Sequence, residues 1–281
     1  MPISFAVDGD YVVWTQQFAS PTVYLDTYAI REISESTQLT TRFAEAIKRK
    51  NGTWLLAPLS MGEFAVFKDP RHCAQAEILL AQVVPHIYLF ETKPLSEEGD
   101  GGLSQRSRPR PDAKNLDWFS QRFCQGGSLQ DVFQGMFQLV HDRREEMLEC
   151  LNGAALPIKA TFERYRQAES YRANAKAAPL GNGRSRQFVI AGELSRDFVL
   201  DINANISRND ALDFMHAVDA VDYCDLVLLD KAWERRVNGL RKRIAEEGVD
   251  MPVARCFSKS NNGIETFLDA IERWPEVSVS V

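Results

Sequence analysis

"DLVLLDKAWERRVNGLRKRI", residues 225–244, is the stretch that decides the fold. An unbroken apolar run, Leu226 to Leu229, is bracketed by Asp225 and Asp230 and passes straight into a helix-like, basic sequence. A strand buried on one face alternates apolar and polar residues, whereas a continuous apolar run is buried on both faces, as in a parallel sheet sandwiched between helices. The same unit recurs along the chain. "TVYLD" (22–26) ends on Asp26 and is followed by "TYAIREIS"; "TWLLAPLSMGEFAVF" (53–67) opens as a strand and turns at "APLSMGE" into a second helix; "PVARCFS" (252–258) precedes "NGIETFLDAIERW". Strands alternating with helices predict an α/β protein with a central, mainly parallel sheet and helices on both faces.

Between these units the sequence changes character. "KPLSEEGDGGLSQRSRPRPD" (93–112) is rich in Gly, Pro, Ser and charge and reads as a flexible excursion. "SLQDVFQGMFQLVHDRREEMLECLNG" (128–153) has helical spacing, with Ser128 as its N-cap and Asn152–Gly153 as its stop, and "IKATFERYRQAESYRANAKAA" (158–178) reads as another helix before the break at "PLGNG". The expected organisation is an α/β core formed by 1–95 and 185–281, with 96–184 as a mostly helical insertion.

Composition narrows the class. Cys73, Cys124, Cys150, Cys224 and Cys256 are scattered without a CxxC pair, which argues against a disulfide framework or a structural zinc site. No signal-peptide pattern opens the sequence and no apolar run is long enough to span a bilayer, so the expectation is a cytoplasmic, soluble protein with reduced thiols and no membrane partner. The net charge of −6 does not advertise a nucleic-acid binder, but two segments are locally basic: 231–243 has six Lys or Arg against one Glu, and 105–114 has four against one Asp. There is no GxxxxGK[ST] or GxGxxG loop for a nucleotide.

The acids carry the chemistry. Ligands of open parallel sheets bind beyond the carboxyl ends of the strands, where Asp26 and Asp230 fall. Glu63 follows a third strand, and Asp213 sits in "NDALDFMHAV" with Asp210 one turn earlier on the same helix face. Ionised carboxylates crowd together only around a cation, and oxygen ligands suit magnesium or manganese. Each acid also has a structural reading: Asp26, Asp210 and Asp230 as helix N-caps, Glu63 as a first-turn carboxylate. His216 reads as a packed, hydrogen-bonded histidine.

Together these segments resemble the PIN-domain nucleases. "VYLDTYAI" is similar to that family's "LDTNVL" opening, "LAPLSMGEF" to its second acidic motif, and "NDALDFMHAVDAVDYCDLVLLDKAW" to its third and fourth, in the family's order and over about half the chain, residues 20–90 and 186–260. The resemblance implies a metal-dependent endoribonuclease in which Asp26, Glu63, Asp213 and Asp230 bind Mg2+ or Mn2+, with Thr27 and Asp210 in support. Lys231, Arg235 and Arg236 are candidates for phosphate contacts. RNA is the expected substrate, with single-stranded DNA second, and an antitoxin, another protein partner or a homodimer remain open, as in toxin–antitoxin ribonucleases. Two positions depart from the pattern: Tyr28 stands where the family most often has Asn, and Leu228–Leu229 replace Thr or Ser positions before the last acid. A haloacid-dehalogenase phosphatase would need a second Asp at position 28, and a receiver domain an acidic pair in its first loop. The reading from a different class is a PIN-like scaffold that binds RNA or protein around a weak or inactive metal site.

Overall fold

The computed structural model describes residues 3–8, 11–92, 102–123, 128–181, 184–203 and 205–275. Its centre is a five-stranded, all-parallel sheet of β3 (Thr22–Leu25), β4 (Thr53–Leu56), β5 (Ile87–Leu89), β6 (Leu226–Leu228) and β7 (Arg255–Phe257), in the order β5-β4-β3-β6-β7. A separate antiparallel hairpin, β1 (Ile3–Asp8) and β2 (Tyr11–Gln16), precedes it. Both faces of the sheet are covered, as the apolar runs require. Val23 and Leu25, Trp54 and Leu56, and Leu226 and Leu228 enter one core with the helices Thr27–Ser34, Thr37–Lys50 and Pro70–Val83. Tyr24, Leu55 and Val227 point the other way, into a core shared with the helices Arg186–Leu194, Arg208–Tyr223 and Lys231–Glu247. This is the expected α/β architecture.

Strand order sets the position of any site. From β3 the chain builds outward through β4 to β5, then returns to the other side of β3 to lay down β6 and β7. The reversal leaves a crevice beyond the carboxyl ends of β3 and β6, where such sheets bind ligands. Their register pairs Val23 with Leu226 and Leu25 with Leu228, and Asp26 N donates to Leu228 O at 3.1 Å. At the opposite end of the pair Asp225 acts as a clamp. Its Oδ2 accepts from Thr22 N (2.9 Å) and Thr22 Oγ1 (3.0 Å), its Oδ1 accepts from Arg106 Nη1 (2.7 Å), and its own N–H donates to Thr22 Oγ1.

Edge strand β5 is shielded by side chain and loop, which suppresses pairing with other chains. The Gln16 amide takes the place of a backbone unit, accepting from Leu89 N and donating to Leu89 O. Residues 110–112 run alongside, with Asp112 N bonded to Leu89 O and a bridge between Phe90 and Pro111. This corrects the expectation for 93–112. Residues 93–101 lie outside the described residues, but the rest is tied down: Arg106 is committed to Asp225, Tyr88 donates to Pro109 O, and Arg186 donates to Leu103 O.

The segment expected as an insertion is helical, yet it is built into both cores. Phe119, Phe133 and Phe137 share the first core with Phe64 and Leu79, and Phe162 joins the second against Phe214 and Phe198. Ser128 is the N-cap as expected, in a capping box with Asp131. The helix boundaries differ. The chain breaks at Gly135, which adopts φ 79°, and Asn152–Gly153 does not stop the helix Arg144–Gln167, which runs on through Pro157. A glycine and a proline cost a helix about 1 and 3 kcal/mol. Burial of Leu151, Ala155 and Phe162 on one stripe outweighs that cost, since each large side chain contributes about 1.5–3 kcal/mol. No described helix is long and apolar enough to cross a membrane, and the four described cysteines are unpaired.

Asp219 and Asp222 are buried structural acids. Asp222 pairs with Arg186 Nε at 2.5 Å, while Asp219 Oδ1 accepts only from Gln187 Nε2 at 3.1 Å and its Oδ2 has no hydrogen-bond partner among the described residues. Burial pushes the Asp219 carboxyl up to about 7. A folded pKa above the unfolded one means that stability is fully present at low pH and is lost as pH rises from the ordinary carboxylate range through about 7. Asp219→Asn should therefore match the wild type in melting temperature near pH 4 and exceed it at pH 8; parallel melting curves across that range would contradict the assignment. For the clamp, Asp225→Ala strands Thr22 N–H and Arg106, so urea unfolding should show a loss of about 2–3 kcal/mol. A loss under about 0.5 kcal/mol, the scale of an ordinary surface change, would show that the strands hold register without it.

Candidate active site

The crevice at the strand reversal contains a cavity of about 260 Å3 lined by Asp26, Glu63, Asp213 and Asp230, with Thr27, Tyr28, Arg208 and Asn209 around them. Each acid reaches it by a different local device. Asp26 directly follows β3, Asp230 lies two residues beyond the end of β6, and each caps the next helix: Asp26 Oδ1 accepts from Thr27 N (2.7 Å) and Asp230 Oδ1 from Trp233 N (2.9 Å). Glu63 comes from the short 3-10 turn Glu63–Val66 that follows β4, and Asp213 from the second turn of helix Arg208–Tyr223. The capping and ligand-facing readings of Asp26 and Asp230 are thus not alternatives. One oxygen serves the helix, and the carboxylate still faces the cavity.

Electrostatics separates the four. Among the described residues Asp26, Asp213 and Asp230 have no ion pair, whereas Glu63 Oε2 lies 3.5 Å from His216 Nε2 and accepts from the Thr27 hydroxyl. Burial, then the charge of Glu63, pushes Asp26 up to about 7. Burial, then Asp26 and Glu63, pushes Asp213 up to about 8. Burial opposes ionisation of Glu63 as well, but the His216 charge beside it and the hydrogen bond from Thr27 hold it below the usual range. His216 shows the reverse. Burial alone would push it down, and Glu63, Asp26 and Asp213 drive it up to about 9.

The polar surroundings expected to be thin are supplied from other elements. Tyr28 donates to Leu229 O at 2.7 Å, which pins the end of β6 beside Asp230. Ser60 Oγ stands 2.9 Å from Tyr24 Oη and 3.5 Å from His216 Nδ1. His216 is packed and has a polar partner in Ser60, as expected, and it is also the cation that faces Glu63. The signal was present in the spacing Asp213-x-x-His216, which sets both on one helix face. Arg208 and Asn209 at the cavity wall had no sequence signal of their own.

Other assignments move. Asp210 does not line the cavity; it completes a capping box, accepting from Ser207 N (2.8 Å) and Oγ. Arg236 is no phosphate hook: its guanidinium lies over Phe198 (4.3 Å) and Trp233 (4.6 Å) and faces Asp197 at 3.6 Å. Arg235 is mostly exposed, 3.9 Å from the same Asp197, and Lys231 is exposed beside Asp230, but neither lines the cavity.

The fold and cavity define a parallel α/β protein with four acids gathered at its topological switch point. No protein-family model, no curated protein and no solved structure matches the chain. The crowding of unpaired acids makes a stability prediction. With divalent ions chelated at pH 8, Asp213→Asn should melt about 2–4 °C above the wild type, because it removes a buried, repelled charge that makes no hydrogen bond. An equal or lower melting temperature would mean that Asp213 stabilises the fold.

Proposed function

We propose that this chain is a phosphodiester hydrolase, an endoribonuclease of the PIN type, working at the carboxylate cavity. One observation carries the reading: Asp26, Glu63, Asp213 and Asp230, from four separate elements, line a single cavity, and His216 is the only cation paired with any of them among the described residues. A folded chain tolerates such an excess of negative charge, two of its four acids buried and two half-buried, when function requires it.

The donor chemistry fits a hard divalent ion. All four side chains offer oxygen, which suits Mg2+ or Mn2+. Among the described residues no group of three or more His, Cys, Asp or Glu side chains is placed to hold a metal ion, so Mg2+ or Mn2+ would be held by one or two of the carboxylates, with water and phosphate in its other positions. When bound, such an ion supplies charge neutralisation and activation of water for in-line attack on a phosphodiester. The chain's residues hold the arrangement rigid. Asp26 and Asp230 are oriented by their helix-cap bonds, and Glu63 is held by Thr27 and His216. Arg208, whose charge reaches Glu63, and the exposed Lys231 and Arg235 attract the phosphate backbone. The absence of a closed donor group favours, as the second reading, a scaffold that binds RNA without cutting it.

Purified chain incubated with Mn2+ should cleave single-stranded RNA in preference to duplex. Asp213→Asn is the clean probe, because Asp213 caps no helix. Outer-shell partners alone are worth about 10–100-fold in such sites, so losing a ligand should cost more than about 100-fold in rate. Wild-type cleavage by that variant would sink the site assignment, and binding without any cleavage by the wild type would favour the scaffold. Millimolar Mn2+ should also raise the melting temperature of the wild type and not of Asp213→Asn. An ion that shifts neither or both equally would remove the metal from the account.

A further inference from the structure

Helix Arg144–Gln167 borders two cavities. Its Leu151 closes the carboxylate cavity, and from Ile158 onward it walls a larger one of about 440 Å3. Seven residues of helix between them is a rise of about 10 Å. The two cavities also share helix Arg208–Tyr223, in which Asp213 lines the first and its neighbour Phe214 the second. Helices Glu169–Ala177 and Arg186–Leu194 complete the larger cavity.

The lining combines π-faces with hydrogen-bonding groups. Tyr165 and Tyr171 are stacked at 4.2 Å with an interplanar angle of 19°, and Tyr171 is 45% exposed. The Arg184 guanidinium lies over Phe188 at 5.2 Å, and Asn174 and Thr161 offer an amide and a hydroxyl. Charge is as telling as shape. Residues 158–196 hold eight Lys or Arg against three Glu in a chain whose net charge is −6. Arg166 and Arg186 are buried in ion pairs, Arg184 lines the cavity together with Glu193, and Arg164 and Lys176 are exposed on the helices that wall it. An apolar metabolite needs no cationic rim, and a simple anion needs no exposed, stacked tyrosine. A nucleotide needs both, a π-face for the base and cations for the phosphate.

We infer that the larger cavity is a base-binding pocket for single-stranded nucleic acid, in which one base stacks on the Tyr165–Tyr171 pair while the strand runs on to the carboxylate cavity, whose Leu151 lies fourteen residues, about 21 Å, back along the same helix. The inference rests on the hydrolase reading for its occupant and adds a base-binding site outside the carboxylate cavity; only an unpaired strand fits it, because a base within a duplex has no free face to offer.

The test is fluorescence anisotropy of a labelled ten-nucleotide oligoadenylate against Asp213→Asn protein in chelator, which separates binding from cleavage. In that background Tyr171→Ala should weaken binding about ten-fold. The exposed pair Lys176→Glu/Arg184→Glu should weaken it and flatten the dependence of log affinity on log salt by about 1 to 1.5. Lys48→Glu, on the helix Thr37–Lys50 across the sheet, should leave the affinity unchanged. Circular dichroism melts confirm that each variant is folded. Unchanged affinity in Tyr171→Ala, or no binding by the parent, overturns the pocket. Adenosine monophosphate binding as tightly as the oligonucleotide overturns the strand as occupant and makes the pocket one for a free nucleotide. Cleavage by the wild type is scored separately. Cleavage that persists with Tyr171→Ala unaffected in binding fails the pocket alone, and pocket-dependent binding without wild-type cleavage fails the hydrolase reading alone.

Discussion

The hydrogen bonds between Asp225 and Thr22 join residues 203 apart in the chain, and the far ends of their strands inherit position from them. Parallel pairing carries register in steps of one residue. Because Thr22 is locked to Asp225, Leu25 must lie beside Leu228, and Asp26 and Asp230 emerge together at the reversal of strand order. Five residues of strand, about 16 Å, separate the clamp from Asp230. Arg106 adds charge to the clamp from a loop that also covers edge strand β5. The structural acid and the site acids are thus opposite ends of one constraint.

The six aspartates between 210 and 230 have distinct tasks within a short length of chain. Asp210 completes the capping box of Ser207, Asp222 pairs with Arg186, Asp219 is held by Gln187, Asp225 clamps the strands, and Asp213 and Asp230 face the cavity. Partnering separates them. Asp210, Asp222 and Asp225 have a cation or backbone donors that offset desolvation, Asp219 has only the Gln187 amide and is pushed up to about 7, and Asp213 has none of these and is pushed up to about 8. A carboxylate left in that condition inside a well-packed fold marks the place where stability was given up.

The helical segment after β5 is where a domain reading of the chain misleads. Its first helices fill the core beneath the sheet through Phe119, Phe133 and Phe137, and its long helix walls both cavities. An element that supplies core and site at once cannot be removed as an appendage. Its aromatic second half also carries more basic than acidic residues in an acidic chain.

Local chemistry determined much of this from the sequence alone. Continuous apolar runs such as Leu226 to Leu229 specify a two-sided parallel sheet, and an acid directly after such a run must lie at its carboxyl end, so the class and the placement of Asp26 and Asp230 were legible. Ser128 as a cap was legible for the same reason, since a cap bond spans three residues. Helix ends that depend on distant packing were not. Gly153 and Pro157 are local stop signals, and only burial of Leu151, Ala155 and Phe162 against other elements overrides them. Nor could the sequence separate Arg235 from Arg236, adjacent and identical, one largely exposed and one folded over Phe198 and Trp233. The pairing of His216 with Glu63, the Tyr28 bond to Leu229 and the capture of Asp225 by Thr22 all join residues far apart in the chain. Which partner a polar group finds across such separations depends on how the helices settle on the sheet, and only the tertiary structure decides that.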